Sequence, residues 1–154
     1  MEVGFNMNEN FMKAAFRMAN KAFNKNEVPV GAVIVRNNKI IAMAYNKKEK
    51  KKCAVEHAEI IAIRKACKKI KNWRLSDCEM YVTLEPCPMC ASAIKQSRIK
   101  KIYYVFDNNN PLTSDISNKI LNYNDANKSV EKIKLQVNFD NDNSLSEFFS
   151  RKRN

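Results

Sequence analysis

Val28-Pro29-Val30-Gly31-Ala32-Val33-Ile34-Val35 is a short, almost wholly apolar run rich in β-branched residues, and it reads as a buried strand. Asn37-Asn38 follows. Asparagine tolerates positive φ, so this pair closes a tight hairpin into a second strand over 39–45. Upstream, Phe11, Ala15, Met18, Ala19, Ala22 and Phe23 recur at helical spacing and predict a helix over 11–25 with one buried stripe. Downstream, lysines dominate 47–52, which reads as an exposed loop. A largely buried helix is predicted over 58–70, a strand over 80–84, a short helix over 88–96 and a strand over 101–106. In the polar stretch 107–128, Ile116, Ile120 and Leu121 mark a helix. Ile133, Leu135 and Val137 alternate with polar residues, as in a half-buried strand. Ser144-Leu145-Ser146-Glu147 is a capping-box pattern that opens a last helix through Phe148 and Phe149. Strands interleaved with helices make an α/β sandwich on a mixed sheet. Its first two strands are expected antiparallel, and the later ones, joined by crossover helices, parallel.

The chain has 154 residues and shows no internal repeat or Pro/Gly/Ser linker, so a single domain over 1–154 is expected. Hydrophobic residues are 45% and charged residues 29%, which excludes the disordered class. No run approaches the roughly 18 apolar residues of a membrane helix. The first ten residues lack a basic start followed by an apolar stretch, so no secretory signal is expected. Five cysteines, an odd count, then argue for a reducing cytoplasm, with Cys as core filler or metal ligand. The net charge of +12 favours polyanions. Part of that excess is compositional in a chain crowded with Lys and Asn, so charge alone does not establish nucleic-acid binding.

The single histidine stands in His57-Ala58-Glu59, and Pro86-Cys87-Pro88-Met89-Cys90 follows. Cys87 and Cys90 are three apart, so at a helix start their sulfurs share a side, and Pro88 suits the first helical position. The free N–H groups and positive dipole end there favour thiolates. Alone, such a pair is also compatible with a redox dithiol or half of a structural zinc site. With His57 as third ligand, the set leaves the fourth tetrahedral position of a zinc ion open for water. Glu59 is the group beside it that can move protons. Inside a regular helix residues i and i+2 diverge by roughly 200°. His57 and Glu59 therefore converge only if His57 lies at or just before the first turn.

H-x-E followed by P-C-x-x-C, each at the head of a helix, is the signature of zinc-dependent nucleobase deaminases. At these residues the sequence resembles the cytidine-deaminase-like superfamily, and within it the bacterial tRNA adenosine deaminases that convert the wobble adenosine to inosine. The resemblance runs from about Phe11 to Arg153 and is densest in 27–33, Tyr45-Asn46, 57–60, 81–91 and Ser97-Arg98-Ile99. It implies a three-layer α/β/α fold with a five-stranded sheet, one zinc per subunit held by His57, Cys87 and Cys90, and Glu59 as proton shuttle. It implies that Asn46 hydrogen-bonds the target base, that Val30 and Leu84 wall the pocket, and that the Ala58 N–H faces the ring. It further implies a homodimer that clamps a tRNA anticodon stem-loop, with Arg98, Phe149, Arg151, Lys152 and Arg153 as candidate RNA contacts.

Two stretches depart from the family pattern. Cys53-Ala54-Val55-Glu56 replaces a short Asp- or Pro-containing turn and a small residue, and the Glu56 carboxylate is expected to point to solvent, the alternative being that it alters substrate entry. The loop from Asp107 to Pro111 lacks the family's glycine, with Asp107 as the stand-in for its acidic residue one position early. Cys67 falls on a helical stripe and is expected in the core, and no second metal site is expected. The glycine-free loop keeps a second reading open, deamination of a free base or nucleoside such as guanine, cytosine or cytidine. A third, a zinc-stabilised RNA-binding module without chemistry, leaves Glu59 without a use.

Overall fold

The computed structural model describes residues 7–123 and 129–137. Helix α1 (Met7–Asn24) leads into strands β1 (Gly31–Arg36) and β2 (Lys39–Tyr45). A single turn, α2 (Lys48–Lys51), and helix α3 (Ala58–Ile70) follow, then β3 (Cys78–Leu84), α4 (Pro88–Gln96), β4 (Lys101–Phe106), α5 (Pro111–Asn122) and β5 (Glu131–Lys134). The five strands form one sheet in the order β2-β1-β3-β4-β5. β1 runs antiparallel to both β2 and β3, while β3, β4 and β5 are parallel. The hairpin is built as the sequence predicts: Asn37 and Asn38 have φ of 53° and 62°, the left-handed pair that a two-residue turn requires.

β1 lies inside the sheet and is buried on both faces. Val33 and Val35 pack with Met12, Phe16 and Ala19 of α1, while Ala32 and Ile34 face the core shared by α3, α4 and α5. The architecture is thus helix, sheet, helices. α1 approaches β1 so closely that a Cβ on Gly31 would lie 2.0 Å from the Ala15 carbonyl oxygen and 2.5 Å from the Ala19 nitrogen. Both atoms belong to the backbone and cannot rotate away. Gly31→Ala therefore displaces α1 and lowers stability by about 3 kcal/mol, the upper end of ordinary overpacking. Chemical denaturation with an unchanged m-value measures it.

Three element boundaries differ from the sequence reading. The first strand begins at Gly31, because the Val30 N–H turns back to the Val28 carbonyl (2.9 Å) and Pro29 has no N–H for the sheet. The lysine-rich segment contains α2, whose second and third N–H groups, Glu49 and Lys50, donate to the Glu27 carboxylate at 2.9 and 2.8 Å. A capping carboxylate more than twenty residues upstream leaves no local pattern. The last described strand ends at Lys134; Leu135 still donates its N–H to Tyr104 O (2.8 Å), and Leu135 and Val137 pack against the α1-side core. Helix α5 is confirmed, opened by Pro111 and capped by the Asn110 side chain, which accepts from Leu112 N at 3.0 Å. The predicted helix at 144–149, with Phe149, Arg151, Lys152 and Arg153, lies outside the described residues.

Candidate metal centre and active site

Two helix N-termini meet at the carboxyl end of β3. His57 is the residue capping α3 and Cys87 the residue capping α4, both in extended backbone conformation, with Pro88 in the first turn. The His57 Nδ1 lies 3.8 Å from Cys87 Sγ and 3.5 Å from Cys90 Sγ. A tetrahedral zinc ion, with Zn–S of about 2.3 Å and Zn–N of about 2.0–2.1 Å, spaces a nitrogen and a sulfur by about 3.5 Å. The trio thus has the dimensions of three corners of that tetrahedron. Among the described residues it is the one group of three or more His, Cys, Asp or Glu side chains brought within metal-binding reach, its ligand atoms lying within 4.8 Å of one another. Cys53 is exposed, Cys67 half-buried against the core and Cys78 buried, all outside the centre.

The electrostatics fit a cation. Hydrogen bonding from Cys90, and then from His57, holds the Cys87 thiol down at about 4, so it is a thiolate. Cys90 is pushed up by its hydrogen bond to Cys87 and by burial, so it keeps its proton. His57 is raised by its hydrogen bond with Cys87. Shared protons hold together a trio that a divalent ion would hold by displacing them.

Glu59, in the first turn of α3, is 4% exposed, and its Oε1 has no hydrogen-bond partner among the described residues. Burial raises its pKa to about 7. Because His57 caps the helix in extended conformation, the two side chains need not diverge as helical i and i+2 neighbours do. Both line a cavity of about 210 Å³, together with Cys87, Asn46, Val30, Ala58 and Leu84. All the residues expected at the metal and in the pocket are therefore gathered in one place. The cavity is smaller than the roughly 300–1,000 Å³ that drug-sized ligands occupy, which suits a single ring system.

Asn46 is 5% exposed and locked in orientation: Nδ2 donates to Val28 O (3.3 Å) and Oδ1 accepts from Lys48 N (3.0 Å). One N–H and one lone pair of the amide remain for a ligand. Ala58 opens α3, and the N–H of a first helical residue has no intrahelical acceptor.

Two expectations are corrected. Glu56 does not point to solvent. It is 8% exposed and grips Arg64 through two hydrogen bonds (2.5 and 3.4 Å), which hold its carboxyl below the usual range. Its carboxylate is directed along α3 and does not line the cavity. Asp107 is exposed and pairs with Lys134 (2.7 Å), whereas its neighbour Asn108 lines the cavity. Arg98 precedes β4, at the opposite end of that strand from the pocket, with its guanidinium 5.0 Å from the Trp73 ring centre.

The sequence reading missed Val28, Lys48, Glu85 and Asn108 as cavity residues. Glu85 is buried and organises the mouth: it accepts from Asn108 N (2.9 Å), from Ser114 Oγ (2.7 Å) and from Lys132 Nζ. Burial opposes its ionisation, but these donors outweigh burial and keep its pKa low. Its place directly before Pro86-Cys87 was the available signal. Asn108 had none, because only the Leu84–Phe106 pairing of β3 with β4 carries it there.

Residues 5–153 match the family model described as MafB19-like deaminase. The chain belongs to this deaminase family. A tRNA-specific adenosine deaminase of Rickettsia bellii (strain RML369-C) is 57% identical over 95 residues, 60% of this chain and 66% of that protein. The first such relatives are matched over 60 to 66% of their own lengths. A solved structure from studies of A-to-I editing by tRNA:A34 deaminases at the wobble position of transfer RNA superposes with a TM-score of 0.73 at 34% identity, over 82% of this chain and 97% of that one. A guanine deaminase from Bacillus subtilis superposes at 0.65 with 30% identity, over 95% and 94%.

Proposed function

We propose that the chain is a zinc-dependent tRNA adenosine deaminase that converts the wobble adenosine to inosine. The observation that carries the chemistry is Glu59, a buried carboxylate whose Oε1 has no hydrogen-bond partner among the described residues, beside a three-ligand set in a ring-sized cavity. His57, Cys87 and Cys90 would hold the zinc, one per subunit. Zinc, when bound, lowers the pKa of water and so supplies a nucleophile at neutral pH. In the net reaction water replaces the C6 amino group and ammonia leaves.

The protein's own part is proton transfer and positioning. Ionised Glu59 takes a proton from the attacking water and delivers it to the ring nitrogen, then takes the second proton, from the new C6 hydroxyl, and delivers it to the departing amine. Burial, which raises its pKa to about 7 in the metal-free site, is what fits this carboxylate to hold a proton as well as to give one up. The free N–H and lone pair of Asn46 read the base edge, the Ala58 N–H faces the ring, and Val30 and Leu84 exclude water from its faces. The RNA is bound by a homodimer of this single-domain chain, and Arg98, Phe149, Arg151, Lys152 and Arg153 are its proposed further contacts. A cytoplasmic location accords with an RNA substrate. No helix among the described residues is long and apolar enough to cross a membrane.

The substrate assignment follows the tRNA deaminase relatives. The likeness to a guanine deaminase over nearly the whole chain favours free guanine as the second reading. Mass spectrometry separates the two. Zinc-loaded protein is incubated with an anticodon stem-loop carrying adenosine at the wobble position, and in parallel with free guanine. Inosine in the RNA is the expected product. Guanine turnover with unmodified RNA would overturn the proposal.

A further inference from the structure

A second depression, of about 280 Å³, runs between α2 and α3 beside the catalytic cavity. Five cationic side chains line it, Lys47, Lys51, Arg64, Lys65 and Lys68, against the single carboxylate of Glu56. Glu56 is committed to Arg64. The surface of the groove is mostly apolar, so the four lysines line it with their aliphatic stems and carry their ammonium groups at its rim, with no acidic side chain of the groove left over for them. Lys65 rests its ammonium on the Met43 carbonyl (2.9 Å), and Lys47 lies 4.9 Å from the Tyr45 ring centre, contacts that orient the lysines without neutralising them. Lys65 is pulled below its ordinary pKa by burial, and then by the nearby Lys47 and Lys21 ammonium groups. Like charges crowded this way repel one another until a polyanion covers them.

The groove borders the catalytic cavity through chain neighbours, without sharing a lining residue with it. Lys48 lines the cavity and Lys47, its neighbour, lines the groove. The Lys47 N–H donates to the Glu56 carbonyl (3.0 Å), one residue before His57, which binds the two walls together. A chain emerging from the cavity on this side meets Lys47 first, then the Lys51, Lys65 and Lys68 ammonium groups. A nucleotide whose base occupies the cavity has a phosphate on either side, so a cationic track starting at the mouth has the charge and the placement to follow its strand.

The geometry points to the α2–α3 groove as a binding track for the phosphate backbone of the RNA strand flanking the target nucleotide, with Lys51, Lys65 and Lys68 as its phosphate contacts. This rests on the RNA reading above, and it assigns to the opened strand a direction across the surface.

The test compares the zinc-loaded K51Q/K68Q chain with K39Q/K100Q, a pair of equal charge change at exposed lysines outside the groove. Binding of the anticodon stem-loop is titrated over a salt series. Each lost phosphate contact lowers the slope of log K against log salt by roughly 0.7 to 0.9, so the groove pair is expected to lower it by about 1.4 to 1.8 and the control pair by nearly nothing. Lysine acetylation of the unaltered protein gives a second readout that needs no variant. RNA is expected to protect Lys51, Lys65 and Lys68 and to leave Lys39 and Lys100 reactive. Equal slopes for the two pairs, or equal protection, would overturn the track. So would protection by anionic vesicles but not by RNA. A groove-dependent slope without inosine formation overturns the reaction and leaves the track standing. Normal inosine formation with equal slopes does the reverse.

Discussion

Glu59→Gln is expected to lower turnover on the order of ten-thousandfold while the protein keeps its metal. The side chain keeps its size and touches none of the ligand pair distances, so His57, Cys87 and Cys90 remain spaced for zinc. What is lost is a group able to accept and return a proton. General acid–base catalysis by one positioned side chain contributes roughly 10²- to 10⁴-fold. Glu59 is proposed to serve more than one transfer, which places it at the upper end. Elemental analysis should find one zinc per chain in wild type and variant alike, while ammonia release falls. A Glu59→Gln protein that still turns over within tenfold of wild type would remove Glu59 from the chemistry.

The same substitution has a signature in the metal-free protein. The pKa of Glu59 is raised by burial from 4.5 to about 7 in the folded chain. An acid raised on folding favours the folded state only while protonated. Its contribution is fully present below pH 4.5 and is lost as pH rises through about 7. Glutamine mimics the protonated form at every pH. The metal-free variant should therefore match wild type in acid and exceed it above neutrality, an ordering that denaturant melts at pH 4 and pH 8 can read.

Much of this site is legible because its chemistry is local. Cys87-Pro88-Met89-Cys90 carries its own helix start, and the requirement that His57 and Glu59 converge forces His57 to the end of a helix. The hairpin at Asn37-Asn38 is local in the same sense. Elements positioned by distant partners were not legible. α2 exists because Glu27 caps it, Asn108 reaches the cavity because β3 and β4 pair in one register, and Glu56 turns inward because Arg64 lies two turns along α3. For α2 and Asn108 the deciding partner is remote in sequence, and for Glu56 it lies eight residues on; none belongs to a hydrophobic periodicity. The expectation for Glu56 failed for a specific reason: a carboxylate beside a metal ligand looks costly to bury, and only the structure shows the guanidinium that offsets it.

Cys87→Ala is expected to abolish both zinc binding and activity, because the three ligands are not equivalent before metal arrives. Cys87 is already a thiolate, whereas Cys90 carries a proton that the metal must displace, and the hydrogen bond with Cys87 raises the proton affinity of His57. Removing Cys87 takes away the preformed negative charge that draws the cation in, and also the acceptor that orients the other two. Only two ligands then remain, and zinc content should fall from one to near zero. Activity should fall with it by at least the factor expected for Glu59→Gln, since without metal there is no activated water for the carboxylate to deprotonate. The wild-type protein should show the linkage directly. Zinc uptake releases the Cys90 proton, so affinity rises with pH across the neutral range. Calorimetric titrations in two buffers of different ionisation enthalpy count the protons released. At neutral pH the Cys90 proton is expected to be released in wild type, so the count is at least about one. Uptake with no proton release would mean that the ion is not held by this trio.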